Sequence, residues 1–96
     1  MSREEIIGAL HAALPSIQQK YHVRRLALFG SAARGEQTPT SDVDLLVEFD
    51  EPIGLFDFVR LERSLGEILH AKVDLVSAKA LKPAIRDEVL SQAVYV

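Results

Sequence analysis

The 96-residue sequence contains no cysteine and no apolar run longer than a few residues. The lack of cysteine excludes a disulfide scaffold, a cysteine-based zinc site and a thiol nucleophile. The short apolar runs fall far below the length of a membrane span. The first five residues include one basic and two acidic residues, where a secretory signal would begin its apolar segment. These absences are typical of a cytoplasmic protein, and we expect that localisation and no membrane attachment.

The composition is that of an ordinary globular protein, with 48% hydrophobic and 26% charged residues. These fractions exclude a disordered tail or a fibre. A chain of this length buries roughly two-thirds of the surface that it exposes when unfolded, so a real core is possible. The sequence shows no internal repeat, low-complexity stretch or linker. We therefore expect a single domain over residues 1–96.

The charge is distributed unevenly along the chain. Residues 36–57 contain seven acidic residues and no basic ones, whereas residues 1–35 contain five basic and two acidic residues. The formal net charge is −3. Broad nucleic-acid binding depends on Lys and Arg side chains that neutralise phosphates, so we expect no strong binding to nucleic acid. The acidic middle predicts either a solvated edge or a cation site.

Hydrophobic periodicity and turn residues predict an α/β or α+β domain, in which about four helices pack on a small sheet of about three strands. The predicted strands are residues 23–29, 43–49 and 72–76. The predicted helices are residues 2–14, a short helix from Pro15 to Tyr21, a turn within 31–36, and residues 55–69 and 83–91.

Two local features of this prediction depend on specific residues. Pro15 is expected to end the first helix and to open the second, because proline is tolerated at a first helical position. The helix over residues 55–69 is expected to bury a stripe of apolar side chains. The residues of that stripe are Leu55, Phe58, Val59, Leu65 and Leu69.

Three aspartates lie in apolar strands, where a charge is disfavoured. Asp42 and Asp44 are two residues apart, so an extended chain directs both carboxylates to the same face. Their mutual repulsion raises a pKa unless a cation offsets it, and Mg²⁺ favours carboxylates together with substrate phosphates. Asp74 lies in the third predicted strand and reaches the same site if that strand lies beside the second.

Each aspartate also has a simpler interpretation. Asp44 could be an edge residue, Asp42 a turn residue and Asp74 an ion-pair partner of Lys72. Because all three occur together in apolar strands, the pattern favours a metal site.

A second element follows the first strand. Gly30 permits a close backbone approach to a ligand, and the Ser31 hydroxyl with the following N–H groups can hold phosphate oxygens. Arg34 lies one turn further on, and Gly35 follows it. The spacing matches neither a Walker loop nor the dinucleotide motif. A phosphate-holding turn that faces paired carboxylates is typical of phosphoryl or nucleotidyl transfer.

These residues together resemble the signature of the minimal nucleotidyltransferases (MNT), relatives of the DNA polymerase β superfamily. The resemblance rests on residues 30–35 (GSAARG) and 41–49 (SDVDLLVEF). It extends to the strand over 26–29, to residues 72–76 (KVDLV) and to the tail over 81–96. It implies the polymerase β-like nucleotidyltransferase fold with a small mixed sheet. Members similar to this chain are usually the antitoxin of prokaryotic HEPN/MNT toxin–antitoxin pairs.

The resemblance also implies roles for individual residues. Asp42 and Asp44 would bind two Mg²⁺ ions during catalysis, and Asp74 would complete the site of the ion that activates the attacking hydroxyl. Gly30 and Ser31 would hold the outer phosphates of ATP. Two further nucleotide contacts are expected from Arg34 and Ser41, and the alternative for Arg34 is a contact with the partner protein.

The expected function is that of an antitoxin enzyme that transfers AMP from ATP to a hydroxyl, expected to be a tyrosine, of a partner HEPN toxin. Larger superfamily members present their acceptor on a second domain, and this chain has only one helix and a tail after its last predicted strand. A separate protein should therefore bring the acceptor, which implies a hetero-oligomer with the toxin. The alternative is a non-catalytic antitoxin that neutralises its partner by binding and occlusion. Template-independent polymerisation is disfavoured by the acidic surface.

Overall fold

In residues 2–36 and 42–96, which the computed structural model describes, four helices and four strands alternate along the chain. A 3-10 helix, Ala78–Ala80, follows the third strand, and no helix of these residues is long and apolar enough to cross a membrane. The elements are α1 (Arg3–Tyr21), β1 (Val23–Phe29), α2 (Gly30–Ala33), β2 (Val43–Phe49), α3 (Leu55–Leu69), β3 (Val73–Ser77), α4 (Pro83–Gln92) and β4 (Val94–Tyr95).

The strands form one mixed sheet in the order β3-β2-β1-β4. β1 is antiparallel to both of its neighbours, whereas β2 and β3 are parallel. A parallel pair needs a long crossover, and α3 supplies it. The predicted α/β architecture is confirmed, with one strand more than expected. That strand, β4, has only two residues, too few to show the alternation by which strands are found in a sequence.

The first helix differs from the prediction, because α1 runs without a break from Arg3 to Tyr21 and contains Pro15 in its interior. A proline in a helix interior costs about 3 kcal/mol relative to alanine. The helix continues because both of its halves are buried in the same core, at Ile6 and Leu10 before the proline and at Ile17 and Tyr21 after it. Packing on both sides therefore outweighs the local preference.

The two faces of the sheet are covered very differently. On the first face, α1 and α3 pack over a core of 16 buried residues that includes Leu28, Leu45 and Leu65. On the second face, among residues 2–36 and 42–96, only Ala27, Leu46 and Ala78 are buried, and α4, which has no buried residue, contributes partly buried contacts. The second face is therefore the one left open for a ligand.

The apolar stripe of α3 also differs from the prediction. The buried residues are Leu61, Leu65 and Leu69, whereas Leu55 is 75% exposed and Val59 is 44% exposed. At about 100° per residue, positions 55 and 59 point about 80° and 120° away from Leu65. The first turn of α3 therefore places apolar side chains in solvent.

Candidate active site

The alternation of β2 separates its apolar from its acidic side chains. Val43, Leu45 and Val47 are buried in the core of the first face. Asp44 lies on the opposite face and is half-buried, and Asp42, which immediately precedes β2, is exposed on that same side. The strand thus contributes to the core and presents carboxylates on the open face.

β3 brings the third aspartate beside the second. In the parallel register of the two strands, Asp74 is the direct neighbour of Asp44. The residues on either side of Asp74, Val73 and Leu75, are buried in the core of the first face, so the Asp74 carboxylate is directed to the open face, where it is exposed. Two carboxylates distant in sequence are therefore adjacent in the fold.

The electrostatics of Asp44 show that these carboxylates repel one another. Burial raises the pKa of the Asp44 carboxyl, and the charges of Asp74 and Asp42 raise it further. The positive charge of Arg34 opposes this rise in pKa, but it does not cancel it. A cation placed among these carboxylates would relieve the repulsion.

Asp42 has a cationic neighbour of its own. Lys72 Nζ lies 3.9 Å from Asp42 Oδ2, whereas the simpler interpretation of the sequence pairs Lys72 with Asp74. The sequence analysis missed this contact. The contact follows from the strand register, in which the pairing of Val43 with Val73 places residue 42 beside residue 72, and no sequence pattern specifies that register.

The described residues do not contain a preformed metal cage. Across residues 2–36 and 42–96, no three histidine, aspartate or glutamate side chains converge closely enough to enclose an ion. Mg²⁺ rarely uses such a cage, because it is usually bound by one or two carboxylates, water and substrate phosphates. The neighbouring carboxylates of Asp44 and Asp74 fit this mode of binding.

Gly30 joins the predicted phosphate-binding turn to the carboxylates. It begins α2 at the end of β1, with a φ of +68° that side-chain-bearing residues rarely adopt. A Cβ atom at this position would lie 2.5 Å from Asp44 Oδ2. The backbone therefore approaches the Asp44 carboxylate more closely than any residue other than glycine allows.

The remaining predicted site residues lie on or near α2, with one exception. Ser31 is half-buried in the helix, and its C=O accepts a hydrogen bond from the Glu36 N–H at 2.9 Å. Arg34 is exposed, and its Nε donates to Glu36 Oε2 at 3.0 Å. The first N–H groups of a helix have no partner within the helix, and N–H groups in that position can bind an anion. Ser41 lies outside the described residues.

The fold and this arrangement agree with a match to a known family. The family described as "Nucleotidyltransferase domain" matches residues 10–96. The chain belongs to the nucleotidyltransferase domain family. The resemblance seen in the sequence is thereby confirmed, and with it the expectation of a nucleotidyltransferase enzyme.

The curated relatives include a protein of almost the same length. The protein adenylyltransferase MntA of Thermococcus cleftensis is 41% identical over 96 residues, which cover 100% of this chain and 97% of the relative. A solved structure, provisionally named a minimal nucleotidyltransferase, is 39% identical and has a TM-score of 0.85. The match covers 98% of this chain and 95% of the other.

More distant solved structures share the fold. A toxin–antitoxin structure with AMP-PNP is 24% identical, with a TM-score of 0.70 and coverage of 99% of this chain and 72% of the other. A complex of the tri-AMPylated HEPN toxin with the MNT antitoxin of Shewanella oneidensis is 22% identical, with a TM-score of 0.60 and coverage of 97% and 66%. At these identities the likeness establishes a common architecture.

Proposed function

We propose that this protein is the antitoxin of a HEPN/MNT pair and transfers AMP from ATP to a hydroxyl, a tyrosine in our proposal, of its HEPN toxin. The observation that carries the proposal is the pairing of Asp44 with Asp74 on adjacent parallel strands, next to the turn at Gly30. This arrangement combines a site for a cation with backbone N–H groups that can hold an anion. A nucleoside triphosphate with bound Mg²⁺ supplies both the cation and the anionic phosphates.

The three aspartates of the open face would bind Mg²⁺. Asp42, Asp44 and Asp74 supply only carboxylate oxygens, the hard ligands that suit Mg²⁺, and would hold one or two such ions. Bound Mg²⁺ would lower the pKa of the attacking hydroxyl and offset negative charge on the phosphates. Asp42 would then exchange its contact with Lys72 for the cation.

The nucleotide would lie along α2. The backbone of Gly30 and the hydroxyl of Ser31 would hold the outer phosphates, and Ser41 would add a further contact. Arg34 would contact a phosphate after releasing Glu36, its present ion-pair partner at 3.0 Å. The acceptor oxygen would attack the α-phosphorus of ATP, and the bond from that phosphorus to the oxygen bridging the α- and β-phosphates would break. Pyrophosphate would leave with that oxygen, and the hydroxyl proton would pass to solvent.

The names of similar proteins support a protein acceptor. The Thermococcus cleftensis relative is named a protein adenylyltransferase, and the Shewanella oneidensis structure contains an AMPylated HEPN toxin with its MNT antitoxin. The chain described here is similar to the first over its whole length. We infer that its own acceptor is likewise a HEPN-class protein.

Intact-mass spectrometry tests the proposal. The HEPN-class protein encoded in the same genome is incubated with this protein, ATP and Mg²⁺, and its mass is compared with that after incubation with the Asp42→Asn/Asp44→Asn variant. We expect one or more AMP additions with the wild type and none with the variant. Asp50→Asn/Asp87→Asn, which removes two exposed carboxylates elsewhere, should act like the wild type.

A second function is favoured by the contact between Lys72 and Asp42, which satisfies one carboxylate without a metal. In that case the protein would neutralise the toxin by binding and occlusion. A partner that is bound and inhibited, with no added mass, would support occlusion and contradict AMP transfer.

A further inference from the structure

The start of α3 carries a group of apolar side chains that no part of the described chain covers. Leu55 is 75% exposed, Phe56 is 81% exposed and Val59 is 44% exposed. These three residues, which we call the apolar patch, occupy one side of the first two turns of the helix. A protein seldom leaves so much adjacent apolar surface in water unless that surface binds something.

A cavity adjoins the apolar patch. It has a volume of about 500 Å³, and Leu55 belongs both to the patch and to the cavity wall. Apolar walls come from Pro52, Ile53 and Phe58, whose ring packs against Phe49 with a centroid separation of 6.2 Å. The cavity has room for one or two large side chains beside the patch.

The charges around the cavity favour an acidic occupant. Of its lining acids, Glu48 forms an ion pair with Arg25 at 2.8 Å. Glu51 Oε1 contacts His22 Nδ1 at 3.0 Å, a contact that balances charge only with a protonated histidine. Three exposed cations also line the cavity and form no ion pair with another residue of 2–36 and 42–96. These cations are Arg24, Lys79 and Arg86. A positively charged rim is unusual in a protein with a net charge of −3.

The position of the cavity separates it from the carboxylates. Glu48 follows Asp44 by four residues on β2, which corresponds to about 13 Å along a strand. A protein bound at the apolar patch would therefore leave the edge that contains Asp44 and Asp74 open to the nucleotide and the acceptor.

We propose that the apolar patch and its cavity are the docking site for the partner protein, and that they bind a segment with large apolar side chains flanked by carboxylates. This inference rests on the proposed HEPN partner and adds the surface that holds it. A second copy of the chain fits less well, because a symmetric contact would bring the cations of one rim against those of the other. A nucleotide also fits less well, because a nucleotide in the cavity would leave the Phe56 side chain exposed to water.

The dissociation constant of the purified HEPN-class partner tests the docking site. We expect Leu55→Ser/Phe56→Ser to weaken binding at least about tenfold, as for residues at the centre of an interface. Because both side chains are exposed, the variant should keep the melting temperature of the wild type. Ile85→Ser is the matched control, since Ile85 is 48% exposed but does not line the cavity.

The charge of the rim is tested separately with Lys79→Gln/Arg86→Gln. This variant should bind severalfold more weakly at low salt, and its difference from the wild type should shrink as the salt concentration approaches about 1 M. A partner that binds the variants of the patch and of the rim as tightly as the wild type would overturn the docking site.

Other outcomes separate this inference from the proposed function. If Leu55→Ser/Phe56→Ser binds the partner and transfers AMP as the wild type does, only the docking site is refuted. If the wild type binds the partner tightly but transfers no AMP, only the proposed AMP transfer is refuted. Failure of the wild type to bind any HEPN-class protein would overturn the docking inference. Two results would assign the apolar patch to another occupant and so overturn the docking site. One is sedimentation of the protein alone as a dimer that Phe56→Ser dissociates, and the other is loss of ATP binding in Phe56→Ser.

Discussion

The two faces of the sheet are made by the same strands and yet differ in almost every physical property. One face is buried under α1 and α3, and its side chains are apolar. The other face has three buried residues in the described part of the chain, a helix that buries none of its own, and the carboxylates of Asp44 and Asp74. Because successive residues of a strand point to opposite faces, the seven-residue strand β2 contributes side chains to both faces.

The two faces contribute differently to the stability of this small domain. The first face supplies most of the buried apolar surface. The second face holds like charges close together, and the pKa of Asp44 is raised as a result. We therefore expect substitutions on the first face to reduce the free energy of unfolding, and some on the second face to increase it.

The largest effect should come from two adjacent leucines that face opposite ways. Leu45 is fully buried in the large core, and Leu46, 1% exposed, lies in the small cluster under α4. A buried Leu→Ala change costs about 2–5 kcal/mol, less where neighbours can relax into the cavity. We expect Leu45→Ala to cost about 3–5 kcal/mol and Leu46→Ala about 2 kcal/mol, measured by urea unfolding. An equal or larger loss for Leu46→Ala would contradict the contrast between the faces.

The large core is also the part that the sequence predicts best. The alternation in β2 is a regular pattern that the structure has, and Leu65 and Leu69 of the predicted stripe are buried in α3, although the prediction omitted Leu61, which is buried beside them. The interior proline of α1 shows where such reasoning fails, since Pro15 is overruled by contacts with residues distant in sequence. The exposed Leu55 and Val59 show a second failure, because the sequence does not say where a helix extends beyond the surface that covers it.

A smaller effect is expected from the glycine at the junction of the two elements of the site. Gly30→Ala places a Cβ atom 2.5 Å from Asp44 Oδ2 at a φ of +68°. The left-handed conformation alone costs an L-residue about 1–2 kcal/mol, so we expect a loss of at least that size. Gly8→Ala is the control, because nothing lies within 4 Å of its added Cβ.

In the control, alanine replaces a glycine inside a helix and should raise the free energy of unfolding by about 0.5–1 kcal/mol. Equal effects of the two substitutions in urea unfolding would show that the close approach of Gly30 to Asp44 has no energetic consequence.

The sequence predicts which residues form the candidate site better than it predicts how those residues are placed relative to one another. Alternation alone places Asp42 and Asp44 on one side of a strand. The adjacency of Asp74 depends on β3 lying parallel to β2 in a particular register, which only the tertiary fold specifies. The same register places Lys72 near Asp42, a contact that the sequence pattern does not reveal.

The smallest effect concerns the charge of Asp44. A carboxyl whose pKa is raised in the folded state binds its proton more tightly there than in the unfolded state, so its ionisation lowers stability. This loss begins near the ordinary aspartate pKa of about 3.9 and is complete above the raised value. Without metal at neutral pH, Asp44→Asn should therefore stabilise the protein by up to about 1 kcal/mol, the scale of neighbouring like charges on a sheet.

The pH dependence provides the check. The difference in melting temperature between Asp44→Asn and the wild type should grow as the pH rises from about 4 to 7. Asp87→Asn, an exposed carboxylate on α4, should show no such growth. A gain for Asp44→Asn that is independent of pH would refute the proposed repulsion.

Direct measurement of divalent-cation binding tests whether the carboxylates of the open face form a cation site. Mn²⁺ replaces Mg²⁺ at carboxylate sites and can be followed by electron paramagnetic resonance, with and without AMP-PNP. We expect the wild type and Asp87→Asn to bind Mn²⁺ equally, and Asp44→Asn and Asp74→Asn to bind it at least about tenfold more weakly, a difference of about 1.4 kcal/mol. Equal Mn²⁺ binding by all four proteins would show that the open face is not a cation site.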